Sequence, residues 1–316
     1  MEHLRHDDPT QIGPYTVLAA VDGLHERRRT PDRRYLARSA DGRRTVIVCV
    51  PRPGADPALW SAETESARRL SLPGFAPVTE ADGSATPPWC AIPYVPVLPL
   101  PAALAAHGGP LPEAFVRALG AALASVLAVA HAQGVTHAGL SPAAVLLGTD
   151  GPRLACFGAV RAAGPDGAQR DGAPGLDPGC LPPEQAQGGL PRPLGDVYGL
   201  GAVLSYASTG HTVPERDELP ASLRAPVTAC LSRDAARRPS AADLAAALLP
   251  PTDPTAPGHA GAVPVPTVLD GAHRPAGTTG SPPFPLPAPL VAALARQSAG
   301  VLAAQLPVRR AEVRLP

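Results

Sequence analysis

The groups of this 316-residue chain that could do chemistry are its arginines, its carboxylates, nine histidines and five cysteines; lysine and asparagine do not occur at all. All 27 residues counted as Lys+Arg are arginine. A GC-rich genome drains the codons of both missing residues. The chemical consequence holds whatever the origin: no ammonium side chain is on hand for a phosphate, and no asparagine amide for a metal. Arginines crowd together at Arg27–Arg29 and at Arg33 and Arg34. They could attract an anion, but Glu26 to Arg34, with Pro31 and no glycine, reads first as an exposed, solvated loop. Five cysteines in a chain of this length suggest no disulfide framework.

The elements that must position these groups come in two halves. Residues 14–22 alternate loosely and read as a strand. Tyr35–Arg38 and Thr45–Val50 read as two strands joined by the Ala40-Asp41-Gly42 turn. Ala58–Leu70 reads as a helix after Pro57, and Trp89–Val95 as another strand. Then the pattern turns helical. Pro112 opens a helix whose Phe115, Val116, Leu119, Leu123, Val126 and Leu127 recur at helical spacing up to Gly134. Val145–Leu147 and Arg153–Ala155 are short strand pieces. Asp196–Thr209, Ala221–Leu231 and Ala241–Leu249 are further helices, the first closed by Gly210. After Pro250 the composition shifts to Pro, Gly, Thr and Ala, which predicts an extended, disordered linker to residue 289. A short helix is expected at 290–306, ahead of a tail at 307–316.

Composition narrows the function classes. Hydrophobic residues make up 45% of the chain, ample for a core, but only 3% are aromatic, so that core must be built from Ala, Val and Leu. Zero formal net charge argues against nucleic acid as a main partner. The first eleven residues carry charge and no apolar h-region, and no membrane span is expected. A cytoplasmic location follows as the default.

Five motifs in series carry a resemblance. The run from His131 to Leu147 (HAQGVTHAGLSPAAVLL) resembles the H-x-x-G-V-x-H-R-D-L-K-P-x-N-V-L-L segment of protein kinases. Cys156-Phe157-Gly158 stands where D-F-G is expected, and Pro183-Glu184-Gln185 resembles A-P-E-Q. Asp196-Val197-Tyr198-Gly199-Leu200-Gly201 resembles the start of the long C-lobe helix, and Arg238-Pro239-Ser240 the R-P-[ST] near the domain end. Their order and separations resemble those of protein kinases, and the flanking YLARSADGRR and LPEAFVRALGAALA phrasing is similar to that of actinobacterial Ser/Thr kinases. The resemblance implies an α+β, two-lobed protein-kinase-like fold over residues 14–249. The N-lobe would cover 14–95 and the C-lobe 96–249, behind an N-terminal extension at 1–13.

Carried over residue by residue, the resemblance places the reactive positions on groups that cannot perform the chemistry. Phosphoryl transfer asks for positioning and charge: a strand lysine on the α/β-phosphates, two metal ligands, and an aspartate for the substrate hydroxyl. The strand lysine falls on Cys49, with Val48 as the alternative register. The catalytic aspartate is Gly139 and the arginine before it Ala138. The loop lysine is Ser141, the metal-binding asparagine Ala144, and the D-F-G aspartate Cys156. A glycine-rich loop is missing. With no lysine elsewhere to step in, the resemblance implies a pseudokinase. No cofactor is expected, and Mg-ATP binding is not expected.

Retained positions are structural. Glu63 fits the helix glutamate that pairs with the strand lysine. His137 matches the histidine beneath Phe157, which precedes Gly158. Asp196 matches the brace of the catalytic loop, and Glu184 and Arg238 the ion pair that ties down the activation segment. Residues 158–183 contain no Ser, Thr or Tyr, so phosphorylation has no foothold there. Pro93 and Val95 match the hinge positions that meet adenine, Ile92 the gatekeeper, and Ile47 would crowd the ring. Cys49 and Cys156 could approach for a disulfide or a metal, or be two small buried residues. A scaffold or regulator with a protein partner, docking through the 251–306 tail, is the expected function. A Ser/Thr kinase with cryptic activity and a small-molecule-binding module using the remnant cleft stay open as alternatives.

Overall fold

The computed structural model describes residues 3–22, 30, 32–69, 72–155, 177–215, 217–249 and 284–303. A six-stranded antiparallel sheet forms the first lobe. Its strands are β1 (Gln11–Ile12), β2 (Tyr15–Ala20), β3 (Asp32–Ser39), β4 (Thr45–Pro51), β5 (Glu80–Asp82) and β6 (Trp89–Pro93), in spatial order β1-β2-β3-β4-β6-β5. The sheet thus reaches into the stretch expected as an N-terminal extension. Helix α1 (Pro57–Arg69) is fastened to it by Trp60, whose indole N–H donates to Asp32 at 2.5 Å.

The period-2 alternation of a strand explains how this sheet divides its residues. Along β4, Val46, Val48 and Val50 join Tyr15, Val17, Tyr35 and Trp89 on the outer face. Ile47 and Cys49 point the other way, into a cluster with Cys90, Ile92, Leu146 and Ala155. The last two belong to the second lobe, so the inner face is the face of the interlobe cleft.

The second lobe is mainly helical. A small sheet of β7 (Val97–Pro99), β8 (Val145–Gly148) and β9 (Gly151–Leu154) lies at its top. Below it pack α2 (Leu100–His107), α3 (Glu113–Ala132), α4 (Pro183–Ala186), α5 (Pro193–Thr209), α6 (Ala221–Cys230) and α7 (Ala241–Leu248). Leu119, Leu123 and Leu127 of α3 meet Leu200, Val203 and Leu204 of α5 and Leu244 of α7 in one core. By length and composition α3 is apolar enough to cross a membrane, which the residue pattern alone had not suggested. In this fold nine of its twenty residues are buried in the lobe.

The helix expected at 290–306 is α8 (Ala288–Ala303). Leu290 and Leu294 are buried in the C-lobe core, and α8 lies against α2 and β7. Just ahead of it Phe284 meets Phe115 edge-on, with ring centroids 5.5 Å apart. At its far end the Val301 carbonyl accepts from the Arg38 guanidinium of the N-lobe at 2.6 Å. Residues 250–283, where the proline-rich linker was expected, and 304–316 lie outside the described residues.

Candidate functional site

The loop from His137 to Ala144 is held from below by Asp196 in the first turn of α5. One carboxylate oxygen accepts the His137 amide at 2.8 Å and His131 Nε2 at 2.9 Å; the other accepts the Ala138 amide at 2.9 Å. Ala138 has φ 63°, left-handed backbone that costs an alanine roughly 1–2 kcal/mol and that these bonds impose. Gly199 lets the loop settle on α5. A Cβ there would stand 2.8 Å from the Leu140 carbonyl oxygen.

His137 is fully buried and stacks near Phe75, with centroids 6.0 Å apart. Its Nδ1 accepts the Gly139 amide at 3.2 Å, so Nε2 carries the proton and donates to the Ala155 carbonyl at 2.8 Å. Burial pulls its pKa below the ordinary histidine value, and the nearby Asp196 charge and the bond to Ala155 do not offset that. The ring is a neutral strut that ties the loop to the end of β9.

Around this loop the fold gathers most of the positions named from sequence. Cys49 lies on the face of the sheet that looks to the second lobe, whereas Val48 lies on the outer face. Ser141 opens a short 3-10 turn, Pro142–Ala144. The Ala144 carbonyl accepts the Ala155 amide at 2.8 Å, so Ala144 sits beside the chain that leads to Cys156. Gly139 presents no side chain to the cleft. Glu63 is half-buried on α1. Cys156, Phe157 and Gly158, and with them the suggested Cys49–Cys156 approach, lie outside the described residues, as do Arg27–Arg29.

The ion pair beneath the activation segment is present. Glu184 of α4 takes a two-pronged contact from Arg238, at 2.7 and 2.9 Å. Arg238 also donates to the Leu194 and Ser232 carbonyls and lies 5.0 Å from the centroid of Tyr198. Burial tends to raise the Glu184 pKa, but the bonds and charge of Arg238 win and hold it below the usual carboxylate value.

One residue was misplaced by sequence. Arg34 was assigned to an exposed loop; it is the third residue of β3 and is directly opposite Cys49 of β4. Its side chain is 1% exposed. The guanidinium pairs with both oxygens of Asp22, through Nε at 2.8 Å and through Nη2. Nη1 donates to the Ala143 carbonyl at 2.9 Å. Only the pairing of β3 with β4 could have revealed this, because the Arg-rich run and Pro31 hide the start of the strand.

At the hinge, Pro93 and Val95 line a recess with Ile47, Ile92, Val97 and Leu146. Its volume is about 20 Å³, room for about one water. Ile47 packs in the same cluster as Ile92 and Leu146 beside this recess.

A two-lobed fold, an aspartate-braced loop and an Arg–Glu tie below it define a protein-kinase-like domain. Comparisons with known proteins agree. The chain is 34% identical over 305 residues to the probable serine/threonine-protein kinase PkwA of Thermomonospora curvata, covering 89% of the chain and 40% of the relative. It is 34% identical over 276 residues to the serine/threonine-protein kinase AfsK of Streptomyces coelicolor, covering 79% of the chain and 33% of the relative. The chain therefore spans well under half the length of these curated relatives. The crystal structure of the Mycobacterium tuberculosis PknI kinase domain superimposes with a TM-score of 0.54 at 23% identity, over 75% of this chain and 96% of that one, which speaks to the fold. No protein-family model matches the chain. Its homologues are thus actinobacterial serine/threonine kinases.

These relatives correct one expectation. No cofactor was expected, and Mg-ATP binding was not expected. Homology over most of the chain is to serine/threonine kinases, a class that works on Mg-ATP, and this overturns it. The expectation rested on there being no lysine to take the place of the strand lysine, and it put Arg34 in a solvated loop, whereas Arg34 is a buried cation directly across from Cys49.

Proposed function

We propose that the chain is a pseudokinase: a protein-kinase-like domain that does not transfer phosphate and acts through protein contacts, as a scaffold or as a regulator of an active kinase. Transfer, not occupancy of the cleft, is what it is proposed to lack; a nucleotide bound in the cleft is compatible with this function.

The observation that carries the proposal is Gly139. The loop around it is braced by Asp196 and His137, yet position 139 offers no carboxylate to orient a hydroxyl and receive its proton. Ala144 likewise offers no oxygen ligand. Groups that act together in a transition state are each worth orders of magnitude in rate, so their joint loss bears far more on transfer than on folding. A second reading, an active Ser/Thr kinase, is favoured by the names of the relatives, PkwA and AfsK.

Incubation of the purified chain with γ-labelled ATP, Mg²⁺ or Mn²⁺ and a generic protein substrate separates the two. No label above a heat-denatured control is expected. Incorporation that disappears in the cleft-filling variant Ile47→Trp would establish the kinase reading instead. The protein-contact half is tested by crosslinking in a native host, where recovery of a kinase or its substrate is expected and recovery of the chain alone counts against it.

A further inference from the structure

Two cysteines face each other on the inner side of the N-lobe sheet. Cys49 of β4 and Cys90 of β6 are directly opposed in the antiparallel pairing of these strands. Directly opposed side chains lie on one face, and both cysteines belong to the inner cluster with Ile47, Trp60 and Ile92. They are 5% and 6% exposed, and neither is joined in a disulfide.

The register decides what the pair can do. One step beyond Val46 and Pro93, the Tyr94 amide donates to the Thr45 carbonyl at 3.2 Å. Bonded and non-bonded pairs alternate along an antiparallel ladder. Following that alternation through Pro93, Ile92 and Ala91 makes Cys49 and Cys90 a bonded pair. Ala91 agrees, since its carbonyl turns away from β4 and accepts the Thr79 amide at 2.9 Å. The α-carbons of a bonded pair stand about 5.5 Å apart, the usual span of a disulfide. Their β-carbons stand up to about 5.5 Å apart, against the roughly 3.8 Å of a relaxed bridge. Closure is within reach but strained, and a strained bridge is the easily reduced kind. Burial selects the oxidant: thiols this enclosed are shut to a bulky disulfide and open to a water-sized peroxide.

We infer that Cys49 and Cys90 are a redox modification site, a reversible disulfide closed by a small peroxide and opened by a thiol reductant. One thiolate attacks a peroxide oxygen and becomes a sulfenic acid, and the hydroxide that leaves takes up a proton as water. The opposed thiol then attacks the sulfenic sulfur, its proton leaves with the hydroxyl as a second water, and the S–S bond forms. In sum, two thiols and one hydrogen peroxide give one disulfide and two waters. A dithiol reductant returns both thiols and is itself oxidised to a disulfide. The bridge acts two residues from Ile47 and Ile92, which line the hinge recess. The inference does not rest on the proposed function, since it involves neither nucleotide nor phosphate transfer.

The test treats the native full chain with a small excess of hydrogen peroxide, then quenches, denatures, alkylates and digests it for mass spectrometry with and without dithiothreitol. A linked peptide pair containing Cys49 and Cys90 is expected in most chains and vanishes with dithiothreitol. Cys230, buried with its thiol pKa pushed up to about 12, is alkylated equally in both samples. Cys49→Ser and Cys90→Ser form no link, and in at least one of them dimedone captures the remaining thiol as a sulfenic acid that the wild type does not accumulate. Cys49→Ala and Cys90→Ala serve where the hydroxyl prevents folding. The inference is overturned if the native wild type keeps both thiols open to alkylation, if Cys49 is joined to Cys156 instead, if the two cysteines are recovered as separate oxidised acids, or if the link forms only in denatured chain.

Discussion

Asp196 holds Ala138 in left-handed backbone: its Oδ1 accepts the Ala138 amide at 2.9 Å while Ala138 sits at φ 63°. The strain and the bond that maintains it can be separated. Ala138→Gly removes the Cβ penalty and keeps the bond, so unfolding free energy should rise by about 1 kcal/mol. Asp196→Ala strands two buried amides, at about 1–3 kcal/mol each, and should lower it by several times the gain from glycine. Urea denaturation of the two variants checks both. A destabilised Ala138→Gly would show that the loop is not held under strain.

Glu184 should give the domain an acid-sensitive tie. Its pKa is held below the ordinary value of 4.5 in the fold, where the bonds and charge from Arg238 outweigh burial. The unfolded chain therefore takes up the proton first as pH falls. The contribution is fully present above about pH 4.5, and it is lost as pH drops through the folded value. Glu184→Gln should cost about 2 kcal/mol at pH 7, a figure kept low because the carboxylate is one-third exposed. The gap between wild type and variant should narrow as pH falls below about 4.5. A gap that stays constant with pH would mean that Arg238 contributes through its carbonyl bonds alone.

A second acid step should begin nearer neutrality. His137 is neutral in the fold with its pKa lowered by burial, and the unfolded histidine titrates near 6.5. Stability should fall as pH drops below about 6.5 and go on falling toward the depressed folded value. His137→Gln removes the titrating group, so its stability profile between pH 7 and 5 should be flatter than that of the wild type, although its absolute stability is lower. Parallel profiles would assign the slope to other groups.

Much of this architecture could be read from the residues, for identifiable reasons. The TVIVCV run marked β4 as a strand, although it left Cys49 and Val48 as alternative registers, and Glu184 and Arg238 were paired through motifs 54 positions apart. What escaped were elements whose signal is tertiary. Strands β1, β5 and β7 have two or three residues each, too few to show a period. Helix α2 begins Leu-Pro and is apolar on several sides, so it shows no face. Arg34 was lost for a related reason: one strand residue in an arginine-rich run carries no mark of burial until β3 pairs with β4 and sets it against Cys49.

Ile47 sets the size of the hinge recess. It packs against Ile92 and Leu146 in a space of about 20 Å³. Ile47→Ala opens that space on the side facing Pro93 and Val95. It should cost about 2–4 kcal/mol of stability by leaving a cavity and at the same time tighten adenosine at least fivefold. Competition with a fluorescent adenosine analogue reads the second effect independently of the first. Weaker or unchanged binding by the folded variant would place the purine elsewhere.

The last helix should behave as part of the domain. Leu290 and Leu294 of α8 are buried in the C-lobe core, and the Val301 carbonyl bonds Arg38 across the lobes. Leu302, one residue further on, is 85% exposed. Leu294→Ala should therefore lower unfolding free energy by about 2–4 kcal/mol in a single transition. Leu302→Ala should stay within about 0.5 kcal/mol. If α8 were instead a docking element that leaves the domain readily, Leu294→Ala would match Leu302→Ala, and limited proteolysis would release the helix at denaturant concentrations where the rest of the domain is intact. Unfolding curves for the two variants, with the m value compared to that of the wild type, decide between a helix that belongs to the folding unit and one that only visits it.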